Sequence, residues 1–133
     1  LAAVEPGLDI LIEAGMDNLR HKSLLQSQYL IYLFEGNLRK VGFSLGSPEN
    51  ALQRGSHISL QHPDAYPICK ALINPDAGNP AIIPDFRAPD NIRFGIAPLY
   101  NTFLDIFMAV ERMVQIVNDG TFRKFSGQKD VVT

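Results

Sequence analysis

Few side chains in this 133-residue sequence could carry out chemistry, and they are widely spaced. His21, His57 and His62 are its three histidines. His57 and His62 stand five residues apart, which on a strand points them to opposite faces, and no cysteine or carboxylate cluster completes a metal site around them. Cys69, the single cysteine, lies next to Ile68 and close to Leu72, the setting of a structural thiol rather than an activated nucleophile. No Gly-rich phosphate loop is present, since "FSLGSPEN" holds only one glycine. The stretch that stands out is "DNIRFGIAPLYN", residues 90–101, which sets Arg93 inside an apolar, strand-like run. On a strand Ile92, Phe94 and Ile96 face one way, while Asn91, Arg93 and Gly95 face the other. Two readings of Arg93 are open from the residues alone. It is a cation on the solvated face of a half-buried sheet, or a guanidinium that forks onto a carboxylate, with Gly95 leaving room for the ligand. Asp85 and Asp90 lie near the arginines and read as ion-pair partners as readily as bases.

The elements that must position these groups follow from periodicity. Ala3 to Ala14 carries Leu8, Leu11 and Ile12 at helical spacing, with Pro6 near its start. Gly15 interrupts it, and Asp17 is expected to cap a longer helix toward Phe34, with Leu25, Tyr29, Tyr32 and Leu33 on one stripe and an end near Gly36. Val41 to Leu45 is a weak strand candidate. "GSHISLQ" alternates clearly, with Ile58 and Leu60 on one face. "AYPICKALI" predicts a short helix and "NPDAGNP" a loop. "AIIPDF" is a strand confined by Pro84 to an edge or its end, and "NIRFGIA" is a further strand. The last helix opens on a capping box, Thr102 with Asp105, and repeats Phe103, Ile106, Phe107, Val110, Met113, Val114 and Val117 on one face before Gly120 stops it. Leu104 and Met108 fall outside that face, which predicts a second contact surface. Residues 121–133 read as a polar tail, loosely held.

This order predicts an α+β domain over residues 1–120, a small and mostly antiparallel sheet covered by helices, with a ferredoxin-like split arrangement as the natural topology. The formal net charge of −2 argues against nucleic acid or an anionic membrane as the main partner. No apolar stretch approaches the roughly 20 residues of a membrane span, and no basic region precedes an apolar one as in a secretory signal. A lone cysteine fits a reducing cytoplasm. The opening "LAAVEPG" reads like the middle of a longer protein, so the chain is expected to be a fragment or a processed piece.

The stretch "DFRAPDNIRFGIAPLYN" resembles the C-terminal region of kynureninases. That family carries Asp-x-Arg-x-Pro-x-x-Ile/Leu-Arg followed by Pro-Leu-Tyr, matched here by Asp85, Arg87, Pro89, Ile92 and Arg93, then Pro98, Leu99 and Tyr100. "RGSHISLQHPDAYPICKALI" and "EAGMDNLRHKSLLQSQYLIYL" are similar to the family's preceding strand–helix and long helix, so the resemblance runs to about Asn118. It implies a homodimeric, pyridoxal-phosphate-dependent enzyme of fold type I that hydrolyses L-kynurenine or 3-hydroxykynurenine. In the family the arginine matching Arg93 grips the substrate's α-carboxylate. Asp85, Arg87, Gly95 and Tyr100 are then supporting motif residues. The resemblance also implies that the cofactor's lysine, its aspartate and most phosphate contacts lie in a large domain upstream, since Lys22, Lys40, Lys70, Lys124 and Lys129 lack the matching context. The chain is expected to contain part of the connecting helix and to be inactive alone. It departs from the family pattern at "NPDAGNPAIIP", a longer loop with three prolines. Other fold type I enzymes, desulfurase-like or transaminase-like, and a free-standing amino-acid-binding regulatory module are the alternative readings.

Overall fold

The computed structural model describes residues 4–127. Helix α1, Glu5–Ala14, takes Pro6 in its first turn, where a missing N–H costs nothing. Gly15 breaks the chain with a φ of 78°, and α2, Met16–Leu33, begins directly after it. Asp17 therefore lies in the first turn of α2 and does not cap it, a correction to the sequence expectation. Gly36 does not end the helix either. The chain continues as a π-helical turn over Phe34–Leu38 and a 3-10 turn over Arg39–Val41, and stops at Gly42 in the left-handed conformation.

The buried side of α2 also differs from the stripe expected. Leu19, Ser23, Gln26, Ser27, Leu30 and Leu33 are buried, while Leu25 and Tyr32 are exposed. Three of those inner residues are polar, so hydrophobic spacing could not reveal this face. Gln26 Nε2 reaches a partner distant in sequence, donating to the Asn101 carbonyl at 2.7 Å, while the Ser27 hydroxyl donates locally to the Leu24 carbonyl at 3.0 Å.

Strands β1 (Ser44–Leu45), β2 (His57–Gln61), β3 (Asp85–Arg87) and β4 (Asn91–Gly95) form one antiparallel sheet in the order β1-β2-β4-β3. Both β2 and β3 run antiparallel to β4 and are therefore parallel to each other. Helix α3, Ala65–Ile73, joins them across the intervening β4. This is the split β–α–β unit the sequence suggested. The outer place beside β2, which a ferredoxin-like chain fills with its last strand, is taken here by β1, which comes first. The arrangement is a permuted relative of that topology. Strand β3 begins only after Pro84, so the Ala81–Pro84 part of the expected strand is loop, tied to α3 by the Ile82 N–H donating to the Leu72 carbonyl at 3.0 Å.

Helix α4, Phe103–Asp119, has the capping box expected: the Asp105 N–H donates to Thr102 Oγ1 at 3.1 Å and the Thr102 N–H to Asp105 Oδ2 at 2.7 Å. Its buried line is Ile106, Val110, Met113 and Ile116, whereas Phe103 and Phe107 stand at the border. Gly120, left-handed, ends it, and a 3-10 turn over Thr121–Phe125 folds back so that Phe122 joins the core. Those first tail residues are thus anchored; residues 128–133 lie outside the described part.

Helices α2, α3 and α4 cover one face of the sheet, against Ile58, Leu60, Ile92 and Phe94. The other face carries His57, Ser59, Gln61, Asn91, Arg93 and Gly95; among the described residues no helix covers it, and the Gly46–Ser47 segment lies against Ser59, Gln61 and Asn91 at its β1 end. A two-layer domain of this kind buries a single core and leaves one sheet face free for function.

Candidate functional site

The helix-free face is organised by strand register. Ser59, Arg93 and Asp85 lie opposite one another on β2, β4 and β3, forming a line across the sheet. Gln61, Asn91 and Arg87 form the next line, and His57 with Gly95 the one on the other side. Ile92 and Phe94 are buried on the opposite face, so Arg93 is held among apolar neighbours in sequence and polar ones in space.

The centre of this face is a cluster of three charges. Asp85 Oδ2 accepts from Arg87 Nε at 2.9 Å, from Arg93 Nε at 3.0 Å and from Arg93 Nη2. The side chain of Arg93 is 39% exposed. The hydrogen bond from Arg93, joined by that from Arg87, holds the Asp85 carboxyl below the usual carboxylate range. Asp90 stands apart from this cluster, accepting instead from the Asn91 amide at 2.8 Å. Asn91 Oδ1 in turn accepts from Ser59 Oγ at 2.8 Å. The β3–β4 turn includes a cis Ala88–Pro89 peptide bond.

Beyond Gly95 the chain turns through Pro98 and Tyr100 into α4. Lys22 Nζ donates to the Pro98 carbonyl at 2.6 Å, Gln26 reaches the Asn101 carbonyl, and Asn101 Oδ1 accepts from the Ala97 N–H at 2.9 Å. Two residues of α2 and the side chain of Asn101 thus fix this turn, contacts that no local pattern announces. The Tyr100 side chain, 75% exposed, points outward. With Gly95 it borders an apolar cleft of about 540 Å³ between the 80–83 loop and α4, lined also by Ile83, Phe94, Ile96 and Met108. A Cβ at Gly95 would meet only the His57 ring at 3.6 Å, so a methyl group fits there without strain.

Cys69 and His62 are structural. Cys69 is buried, and burial pushes its thiol up to about 11. His62 is buried against the Phe43 ring, its Nδ1 accepting from the Asp64 N–H at 2.9 Å, and burial lowers its pKa. A Gly-x-Ser-x-Gly pentapeptide, Gly42 to Gly46, is present. Its Ser44 lies within β1, not at a strand-to-helix elbow, and the contact of its hydroxyl is with Gln61 Oε1 at 3.5 Å. Among the described residues no group of three or more His, Cys, Asp or Glu side chains could hold a metal, and no helix is long and apolar enough to cross a membrane.

Fold and face together define an α+β domain that carries a paired, partly exposed arginine on an open antiparallel sheet. Comparison with known proteins gives the family. Residues 19–113 match the model of the kynureninase C-terminal domain. The kynureninase of Geobacillus thermodenitrificans (strain NG80-2) is 39% identical over 132 residues, 99% of this chain and 30% of that protein. That of Bacillus cereus (strain ZK / E33L) is 38% identical over 125 residues, 94% and 28%, and that of Shouchella clausii (strain KSM-K16) 34% over 132 residues, 99% and 30%. The chain belongs to the kynureninase family, corresponds to its C-terminal domain, and spans about 30% of the length of these curated relatives.

Proposed function

We propose that the chain is the C-terminal part of an enzyme that hydrolyses L-kynurenine, or its 3-hydroxy form, to anthranilate or 3-hydroxyanthranilate and L-alanine in tryptophan catabolism. In this reading Arg93 binds the α-carboxylate of the amino-acid substrate. The observation that carries the assignment is the place of Arg93. Its guanidinium lies on the open face, inside the matched stretch, in a cluster of two arginines and one aspartate. Such a cluster has one positive charge in excess and attracts a carboxylate. A forked arginine–carboxylate contact also fixes the orientation of the substituents around the substrate's Cα.

The reaction depends on pyridoxal 5'-phosphate, which draws negative charge away from the substrate's Cα when bound. The described residues do not fit it by themselves. Lys22 is bonded to the Pro98 carbonyl, Lys124 pairs with Asp76 at 3.4 Å, Lys70 lies over the Tyr66 ring, and Lys40 belongs to the 39–41 turn. Neither Lys22 nor Lys124 joins the Arg93 cluster. The reading therefore assigns the cofactor's lysine and phosphate contacts to the rest of a longer enzyme, a cytoplasmic homodimer, and treats the isolated chain as inactive. Exposed apolar side chains support a docked neighbour: Leu8, Ile10 and Ile12 on α1, and Leu104 and Met108 on α4. The family match leaves the desulfurase-like and transaminase-like readings without support. The test is direct. Full-length protein with cofactor is expected to release fluorescent anthranilate from L-kynurenine, and the 133-residue chain alone to release none. Kynurenine left intact by the full-length holoenzyme would overturn the proposal.

A further inference from the structure

An arginine side chain can hold a carboxylate along either of two edges, side-on through Nε and Nη2 or end-on through Nη1 and Nη2. In this domain the side-on edge of Arg93 is already occupied. Its Nε donates to Asp85 Oδ2 at 3.0 Å, and Nη2 donates to the same oxygen. Among the described residues Nη1 has no hydrogen-bond partner, so the end-on edge is the one left available.

Asp85 is well placed to fix this division. It lies directly opposite Arg93 in the β3–β4 register, so its carboxylate is brought to the guanidinium by backbone pairing. The same oxygen is braced from its other side by Arg87 Nε at 2.9 Å. Arg93 is a long side chain on a partly solvated face, and without such an anchor it would sample several rotamers. With the anchor, the plane of the guanidinium is set before any ligand arrives.

We infer that Asp85 is the positioning residue of the carboxylate site, holding the side-on edge of Arg93 so that the end-on edge faces the substrate. The inference rests on the carboxylate-binding role proposed for Arg93. Asp85 does not compete with the substrate, because the two carboxylates take different edges. Nor does it neutralise the site, because Arg87 offsets its charge.

The experiment uses the full-length holoenzyme and compares kcat/KM for L-kynurenine with that for its α-carboxamide. The ratio of the two reports recognition of the carboxylate, which a general loss of stability or of cofactor would leave unchanged. Arg93→Gln is expected to collapse the ratio toward one. Asp85→Asn is expected to cut it by about tenfold, mainly through KM, with the cofactor absorbance unaltered. Arg93→Lys keeps a cation beside Asp85 but has no second edge, and is expected to lose the ratio as Arg93→Gln does. A ratio kept in Asp85→Asn but lost in Arg93→Gln would overturn the positioning role and leave the carboxylate site standing. A ratio kept in Arg93→Lys would overturn the two-edge division even if Asp85→Asn failed to fold. A ratio kept in Arg93→Gln would remove the carboxylate site itself, and the inference with it.

Discussion

Arg93 sits in a setting that is solvated enough to spare it the full cost of burial and ordered enough to give its charge a direction. Its side chain and that of Asp85 are 39% and 47% exposed, so the pair contributes little to stability and its value lies in geometry. The electrostatics can be read from the carboxylate. The hydrogen bond from Arg93 is the largest influence lowering the Asp85 pKa, ahead of that from Arg87. Because the folded value lies below the unfolded one, the ionised pair favours the folded state at neutral pH. That contribution fades as pH falls from the ordinary carboxylate range through the lowered folded value. Carboxyl-detected NMR titration is expected to place Asp85 below that ordinary range, and Arg93→Gln to move it upward. An Asp85 that titrates normally in the unaltered protein would mean that the cluster does not persist in solution.

At the scale of elements, the site depends on two strands and one turn, each held differently. The β3–β4 register brings Asp85 to Arg93, and the 97–101 turn is held from α2 by Lys22 and Gln26. Gln26 is fully buried, so its loss removes both packing and a hydrogen bond. Gln26→Ala is expected to destabilise the domain by about 2–4 kcal/mol and to speed amide exchange at Ala97 and Asn101. Chemical denaturation and hydrogen exchange check this, and unchanged protection at both amides would contradict it. Much of this level was legible in the sequence. The alternation through Ile92, Arg93 and Phe94 and the Thr102–Asp105 capping box are local patterns, and both appear in the structure as read. The buried face of α2 was not legible, because Ser23, Gln26 and Ser27 are polar yet inner residues, and the bond of Gln26 reaches Asn101 far along the chain. The meeting of Asp85 with Arg93 was half legible. Proximity in sequence suggested an ion pair for both Asp85 and Asp90, but only strand register decides that Asp85 has it.

For the whole molecule, the division of labour between faces is the central feature. One sheet face is spent on the core with α2, α3 and α4, and the other is left with a polar array around Arg93. Apolar residues of α1 and α4 stand exposed, and the chain spans about 30% of the length of its curated relatives. What the sequence resemblance could not supply was the permuted sheet order or the helix-free face, since both arise from pairing between distant segments. The central claim is that this face holds the substrate's carboxylate, and one measurement tests it most directly. In the full-length holoenzyme, Arg93→Ala removes the fork and nothing of the core. Steady-state turnover of L-kynurenine is expected to fall by about two to three orders of magnitude in kcat/KM, corresponding to roughly 3–4 kcal/mol of lost charge-assisted binding, while the absorbance of the bound cofactor stays intact. A kcat/KM for kynurenine equal to that of the unaltered enzyme would contradict the account.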